Sequence, residues 1–530
     1  MLLIFRRILL FLTALWCQGL AANVLHVPDD YPTIQDALNH IVDGDTVLAA
    51  IRTYAEALMA PPLTFTLKGD VIPDTGEYPR PVIDPSSLDG APSLACLILP
   101  AGANPVLEDL RFINGPQMFP RDPSWAIGGI DCAAADLTMR RCLVDSAFYG
   151  LWVGDVISAI HLVDCQFRGD TLNCAIGIRT AWDANSCYFS GQGGPLVIGS
   201  SHSRFVDCHF AENHSGNMLC VSGDGIEISD CVFGPAPTCP LECLVLSRFS
   251  GVVQNNVFSG LVFGTIIHAS IEDSTSIQIL GNTFSGNTHD GMWSSMTIYL
   301  APQPGLNVQR DVIIRDNVFV DNDAGAMYKA IWATHAGALI EHNRFVHLRP
   351  LGQPTVANEM DGLPGDSLFL RDNFFEDVGV AAEGDSLMDA RWNWWGDSSG
   401  PYHASRHPEG DGELIEGDLL FDPWYTDTLF FDRASDDPAY LPARFSLAAY
   451  PNPFNSIVTL TLTPSAVAIV RVELFDLLGR RIQEIWSGPL AFEKTIHFDG
   501  SHLASGVYFV RVWQSIGNRP LALTKLILLK

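Results

Sequence analysis

Three carboxylates fall within one short stretch, Ser222-Gly-Asp224-Gly-Ile-Glu227-Ile-Ser-Asp230. A carboxylate pair about 5–9.5 Å apart can supply the acid and base, or acid and nucleophile, of glycoside hydrolysis. The local pattern favours a plainer role: Asp224-Gly225 has turn composition, and Asp230 recurs as the corner residue of a repeat. His403 and His407 stand four apart and would present two metal ligands on a helix; Pro401, Pro408 and Gly410 around them predict a solvated loop instead. Asp321-Asn322-Asp323 offers hard oxygen ligands, so calcium is the candidate cation, although the ordered spacing of an EF-hand loop is absent. His209 and His342 fall inside repeat copies, as satisfied or exposed neighbours of the core. From spacing alone no catalytic residue, no cofactor-binding residue and no metal ligand is assigned.

The elements that would position such groups are set by a repeat. Leu162-Val-Asp164-Cys165-Gln-Phe167 returns as Phe205-Val-Asp207-Cys208-His-Phe210 and as Ile228-Ser-Asp230-Cys231-Val-Phe233. It continues, with Asn for Cys, as Val253-Gln-Asn-Asn256-Val-Phe258 and Ile314-Arg-Asp316-Asn317-Val-Phe319. The Cys/Asn slots are 142, 165, 187, 208, 231, 256, 282, 317, 343, 373 and 393, so successive copies lie 20 to 35 residues apart. One hexapeptide held in phase this often marks a solenoid. Counting from the Cys/Asn slot, apolar residues sit at −5 and −3, then at 0 and +2. Strands alternate faces with period two. The step of three therefore predicts a bend at −2 or −1, where Asp and Asn tolerate left-handed angles. The fold expected is an all-β right-handed parallel β-helix solenoid, with a Phe stack at +2 and an Asn amide ladder at 0. Longer loops fall near 282–317 and 343–373.

The chain has 530 residues, 31 Lys+Arg and 60 Asp+Glu, for a net charge of −29. That balance argues against nucleic acid as a partner, which needs clustered cations; only Lys68 and Lys329 fall between residues 23 and 430, though the Arg residues could build a local patch. Residues 1–22 have the form of a secretory signal: Arg6-Arg7, a short apolar run over Ile8–Trp16, and small residues near Ala21-Ala22. No transmembrane helix is expected in the mature chain. Of 12 cysteines, removal of Cys17 leaves an odd number in an oxidising compartment. Those in the ladder slot behave as small buried apolar groups. Mostly free thiols are expected, with Cys239 and Cys243 close enough to pair locally.

Two resemblances extend this reading. Tyr31-Pro32-Thr33 opens a helix with Ile34, Ala37, Leu38 and Ile41 on one face, and Gly44-Asp45 turns into the strand Thr46-Val47-Leu48. This resembles the opening of secreted parallel β-helix proteins of the pectin-lyase-like and periplasmic copper-processing type, except that Arg52 stands where Gly usually precedes Thr53-Tyr54. Asn393-Trp394-Trp395-Gly396 and Phe421-Asp422-Pro423-Trp424 resemble the terminal coil of that family. Beyond a connector, residues 444–530 alternate strands with Gly and Pro turns, which predicts a small antiparallel β-sandwich. Its motifs resemble the C-terminal sorting domain of type IX secretion cargo. The resemblance implies sorting-signal roles for Pro451, Asn452, Pro453, Asp476, Gly479, Gly506 and Lys530. It also implies passage through the periplasm and engagement of the outer-membrane secretion machinery, often with loss of the tail. The expected division is a signal peptide at 1–22, β-helix at 23–427, linker at 428–443 and sorting domain at 444–530. The function expected is that of a secreted or cell-surface glycan-binding or surface-architecture protein without catalysis, with extracellular polysaccharide as partner. The alternative is a polysaccharide lyase or glycoside hydrolase assembled from several coils. Carboxylates grouped with Arg on one strand face would favour the enzyme; Ser, Thr and Asn beside aromatics would favour binding.

Overall fold

The computed structural model describes residues 22–432 and 446–530, apart from 72–77, 90–93, 116–127, 133–135, 146–148, 154–157, 171–172, 178–179, 192–196, 214–215, 272–275, 289–295, 303–310, 323–327, 335–336, 349–352, 360–367, 385–387, 464–467, 477–479, 491–493 and 515–518. Nearly all of the signal sequence lies outside the described residues, as do most of the extra residues of the longer coils.

The broken alternation produces the predicted corner. Ile160 and Leu162 are buried, Asp164 turns with φ 54°, and Cys165 and Phe167 are buried again. The same turn occurs at Arg141, Ser186, Asp207, Asp230, Asn255, Asp316, His342, Asp372 and Trp392, with φ between 53° and 61°, and at Gly281. Left-handed backbone costs an L-residue roughly 1–2 kcal/mol, so each corner persists because paired strands fix both of its arms. Asp109, with φ 57°, followed by Leu110 and Phe112, is a further copy upstream, hidden in the sequence because Leu fills the ladder slot. A second corner follows four residues after the slot, at Asn114, Glu212, Asp321, His347 and Asp377. Asp321 is thus a backbone turn and Asn322 points into the core; Asp323 lies outside the described residues.

Along the rod, the strands pair in parallel with their equivalents one coil on. The post-corner strands form a 13-stranded sheet. The pre-corner strands and a third series form a 27-stranded sheet, joined through the long strands Leu219–Ser229 and Ala236–Gln254. This is a parallel β-helix; at about 4.8 Å per coil the rod is roughly 60 Å long. The stack at +2 runs without interruption from Phe167 to Phe375 and ends on Trp395, with ring centroids 4.6–5.4 Å apart. Asn256, Asn282, Asn317, Asn343, Asn373 and Asn393 form the amide ladder, each Nδ2 donating to the next Oδ1 at 2.9–3.0 Å. Asn287 donates to Asn322 at 3.0 Å in a second, shorter ladder beside the second corner. In the earlier coils Cys142, Cys165, Cys187, Cys208 and Cys231 occupy the slot instead. Their thiols are free, as are those of Cys96 and Cys220. Burial pushes the Cys142 and Cys231 thiols up, which keeps them protonated and unreactive.

The amino-terminal helix, Ile34–Leu38, buries Ile34, Ala37 and Leu38 over the first coil, and Thr33 caps it by accepting from Asp36 N at 3.0 Å. Glu56, one coil later, accepts from Ile34 N at 3.1 Å and Gln35 N at 2.8 Å. A carboxylate on otherwise orphaned helix N–H groups stabilises the cap. Glu56→Ala is expected to lower stability by about 1 kcal/mol, read as a reduced denaturation midpoint; an unchanged midpoint would refute that role.

Residues 446–528 form a three-stranded and a four-stranded antiparallel sheet. Val458, Leu460 and Leu462 of one share a core with Val470, Val472, Leu474, Val510 and Val512 of the other. That is a β-sandwich, as the tail's strand pattern predicts.

Candidate functional site

Carboxylates do group with Arg on the pre-corner face, but as ion pairs between coils. Glu108 bonds Arg140 at 2.9 Å and Lys68 at 3.4 Å. Glu341 pairs with Arg315 and lies 3.9 Å from Arg371. Glu227 bonds Arg204 at 2.9 Å and accepts from Ser229 at 2.9 Å. Burial works to raise the Glu227 carboxyl, but those bonds outweigh it and hold it below its ordinary value. Asp224 is not in the expected turn but inside the strand Leu219–Ser229, at an irregularity between Gly223 (φ 119°) and Gly225 (φ 67°) where the register with the next coil shifts, and Asp230 is a corner whose burial raises its carboxyl. The three carboxylates of this stretch therefore fall at a strand irregularity, an ion pair and a corner.

His403 and His407 are in a loop, their backbones cross-bonded at 3.0 and 3.1 Å. The residues between and after them are exposed, as a solvated loop requires, but the two rings themselves are packed. His403 Nε2 lies 3.0 Å from Gly417 O, its Nδ1 accepts from Arg406 N at 3.1 Å, and His407 Nδ1 lies 2.6 Å from Pro401 O. The rings brace the terminal coil against Phe421 and Trp424, and these bonds engage both nitrogens of His403 and Nδ1 of His407. Among the described residues no group of His, Cys, Asp and Glu is suited to hold a metal ion.

The third face differs. There Leu244, Ile267, Ile298 and Ile331 point inward, so the next residue of each strand points out. In register these are Val245, His268, Tyr299 and Trp332. His268 and Tyr299 rings lie 5.2 Å apart, and Tyr299 stacks on Trp332 at 5.0 Å with 28° between planes. All three are half-buried. Two residues on, Ser247, Ser270 and Thr334 line a parallel row of hydroxyls with Ala301 between them. Glu242 bonds His268 Nδ1, which orients the ring and leaves Nε2 without a partner among the described residues. The Lys329 ammonium lies 4.6 Å from the Trp332 ring centroid, and Trp332 Nε1 is buried with no partner among the described residues. The site is thus a ribbon of aromatic faces edged by hydroxyls, with a carboxylate–imidazole pair at one end. Apolar rings with a few fixed polar groups are what a site for an amphipathic ligand requires. Sequence reasoning missed it. The signal was one aromatic per coil at one strand position, blurred by loops of unequal length before and after these strands.

Of the residues to which the resemblance assigns sorting roles, Asn452 and Gly506 contact the final strand and Lys530 follows it. Asn452 donates to Lys525 O at 2.6 Å and accepts from Ile527 N at 2.9 Å, between Pro451 and Pro453. Gly506 opens a strand and pairs with Leu528. The Lys530 ammonium donates to the carbonyls of Ser501 and Leu503. Asp476 ends a strand opposite Tyr508, and Gly479 lies outside the described residues.

Residues 448–527 match the model of the secretion system C-terminal sorting domain. The tail is that of type IX cargo, so the protein is exported to the cell surface or beyond. No helix among the described residues is long and apolar enough to cross a membrane. No curated protein matches the sequence. Among solved structures the chain is similar to the catalytic unit of a thermostable GH87 α-1,3-glucanase from Streptomyces thermodiastaticus (13% identity, 77% of this chain and 71% of that chain, TM-score 0.41). It is also similar to a tailspike protein of E. coli bacteriophage HK620 solved with a pentasaccharide (11%, 90% and 88%, 0.30). A third is the surface adhesin PfbA of Streptococcus pneumoniae (10%, 76% and 91%, 0.22). At such identities the likeness concerns the fold and assigns no activity.

Proposed function

We propose that residues 23–427 are a glycan-binding rod without catalysis, that 428–443 are a linker and that 444–530 are the export address. The ligand is an extracellular polysaccharide lying against the third face. The observation that carries this reading is the His268–Tyr299–Trp332 column with its row of hydroxyls. Aromatic faces take the apolar face of a sugar ring, and the hydroxyls and the Glu242–His268 pair meet its hydroxyl groups. A second reading, a polysaccharide lyase or glycoside hydrolase, is favoured by the same pair beside Tyr299, since imidazole, carboxylate and phenol can move protons. Calcium stays a candidate cofactor for either.

The test is incubation of the purified chain with a panel of neutral and acidic polysaccharides, with calcium and with chelator. Retention and release of reducing or unsaturated ends are followed together. Retention without product is expected, and Trp332→Ala should weaken it roughly 10- to 30-fold, the loss typical of an aromatic anchor, with the melting temperature kept. Product from any glycan would replace binding by catalysis, and His268→Gln should then abolish it.

A further inference from the structure

We propose a second binding site, independent of the aromatic column: a belt of cations around one edge of the early coils that takes a polyanionic glycan through its carboxylate or sulfate groups. Lys68 and Arg140 stand on the pre-corner face, in register on either side of Glu108. Arg141 occupies the corner, with Arg80 against it through a 3.0 Å bond to Arg141 O. Arg111 and Arg168 continue onto the post-corner face, both reaching Asp145, at 2.9 and 3.5 Å.

The carboxylates lie beneath the cations. Side chains of Glu108, Asp109 and Asp145 are 16%, 0% and 12% exposed, against 37% for Lys68, 45% for Arg140, 30% for Arg141, 42% for Arg111 and 34% for Arg168. Each of these carboxylates orients cations from the neighbouring coils, which remain partly exposed. Among the described residues the acids bonded to these cations are these three, with Asp164 at the next corner and Asp70 and Asp84 on the first coil, so the paired acids lie under a more exposed layer of cations although the chain carries −29 overall. Charges farther than about 8 Å are screened at physiological salt, so the exposed local groups, rather than the net charge, decide what approaches. Guanidinium groups held in advance lose little freedom on binding oxyanions and meet them with paired N–H donors. Cations repeated coil after coil suit a polymer with charge on each unit. A glycan is favoured over nucleic acid because the tyrosine at this edge, Tyr78, already has one ring face taken by Arg80 at 4.0 Å and its hydroxyl taken by Asp109, and because the chain is exported.

The experiment measures binding of the full chain to polygalacturonate, dextran sulfate and neutral dextran, at low salt and at about 0.5 M salt, where screening reaches within a few ångströms. The variant is Arg140→Gln with Arg168→Gln: Glu108 keeps Lys68 and Arg141, Asp145 keeps Arg111, and an unchanged melting temperature checks the fold. Binding to either charged glycan but not to dextran, lost at high salt, roughly tenfold weaker in the double variant and unchanged by Trp332→Ala, is the expected result. Polygalacturonate alone would identify carboxylate, dextran sulfate alone sulfate, as the group taken. No binding to either, full binding by the double variant, or tighter binding to duplex DNA or to anionic lipid vesicles would overturn the proposal.

Discussion

Asn317→Ala is expected to destabilise the rod by on the order of 5 kcal/mol. The residue is fully buried. Its Oδ1 accepts from Asn282 N at 2.8 Å and Asn282 Nδ2 at 2.9 Å; its Nδ2 donates to Ile279 O at 2.9 Å, Arg315 O at 3.0 Å and Asn343 Oδ1 at 2.9 Å. Truncation leaves the Asn282 N–H and two carbonyls short of partners inside an apolar core. Each stranded group costs about 1–3 kcal/mol, before the cavity is counted. Asn317→Cys should cost less, because Cys fills this slot without strain in the earlier coils. Denaturant unfolding of both variants, with hydrogen exchange at the coils of Asn282 and Asn317, tests the order Ala worse than Cys. Equal midpoints for wild type and Asn317→Ala would show that the ladder contributes nothing.

Asp109→Ala should cost about 1–3 kcal/mol, the penalty for stranding the partners of a buried hydrogen-bond acceptor when its charged partner, Arg141, is itself partly exposed. Asp109 is fully buried, takes Arg141 Nε at 2.7 Å and Nη2 at 3.0 Å, and accepts from the Tyr78 hydroxyl. Burial works to raise its carboxyl, but the Arg141 and Tyr78 bonds outweigh it and hold it below the usual range. Tyr78 is pushed up to about 12, by burial and then by Asp109, so it stays a donor. The sign for pH follows. With the folded value below the unfolded one of about 3.9, the contribution is full above pH ~4 and is lost as pH falls through the folded value. Melting temperature in acid should therefore drop less steeply for Asp109→Asn than for wild type. Parallel acid profiles would remove Asp109 from the account.

How much of this was legible from the chain varies by element. The corners, the Phe stack and the Asn ladder were, because they depend on residues within six positions of one another. The hydrogen bond from Asn282 to Asn317 could be expected across 35 residues only because the hexapeptide kept phase. Copies with Leu110 in the slot, and the second ladder at Asn287 and Asn322, depart from that hexapeptide and escaped notice. The aromatic column escaped for a different reason. His268, Tyr299 and Trp332 align only through strand register, and unequal loops remove any fixed spacing between them. The acidic stretch ending at Asp230 illustrates the reverse: proximity along the chain suggested a cluster, but Glu227 is joined to Arg204 in the neighbouring coil.

The change of slot residue between Cys231 and Asn256 divides the rod into two grades of cohesion. From Asn256 to Asn393 every coil is tied to the next by side-chain amides as well as strands. From Cys142 to Cys231 the slot adds only weak thiol contacts to carbonyls, at 3.2–3.5 Å. In a solenoid, resistance is summed between neighbours. A pull applied along the axis will therefore part the thiol-bearing coils first and run up to the amide-bearing ones, where it stalls. The rod behaves as a zipper with its stop on the side of the sorting domain in sequence, and the coils that carry the aromatic column are held on the closed side of that stop.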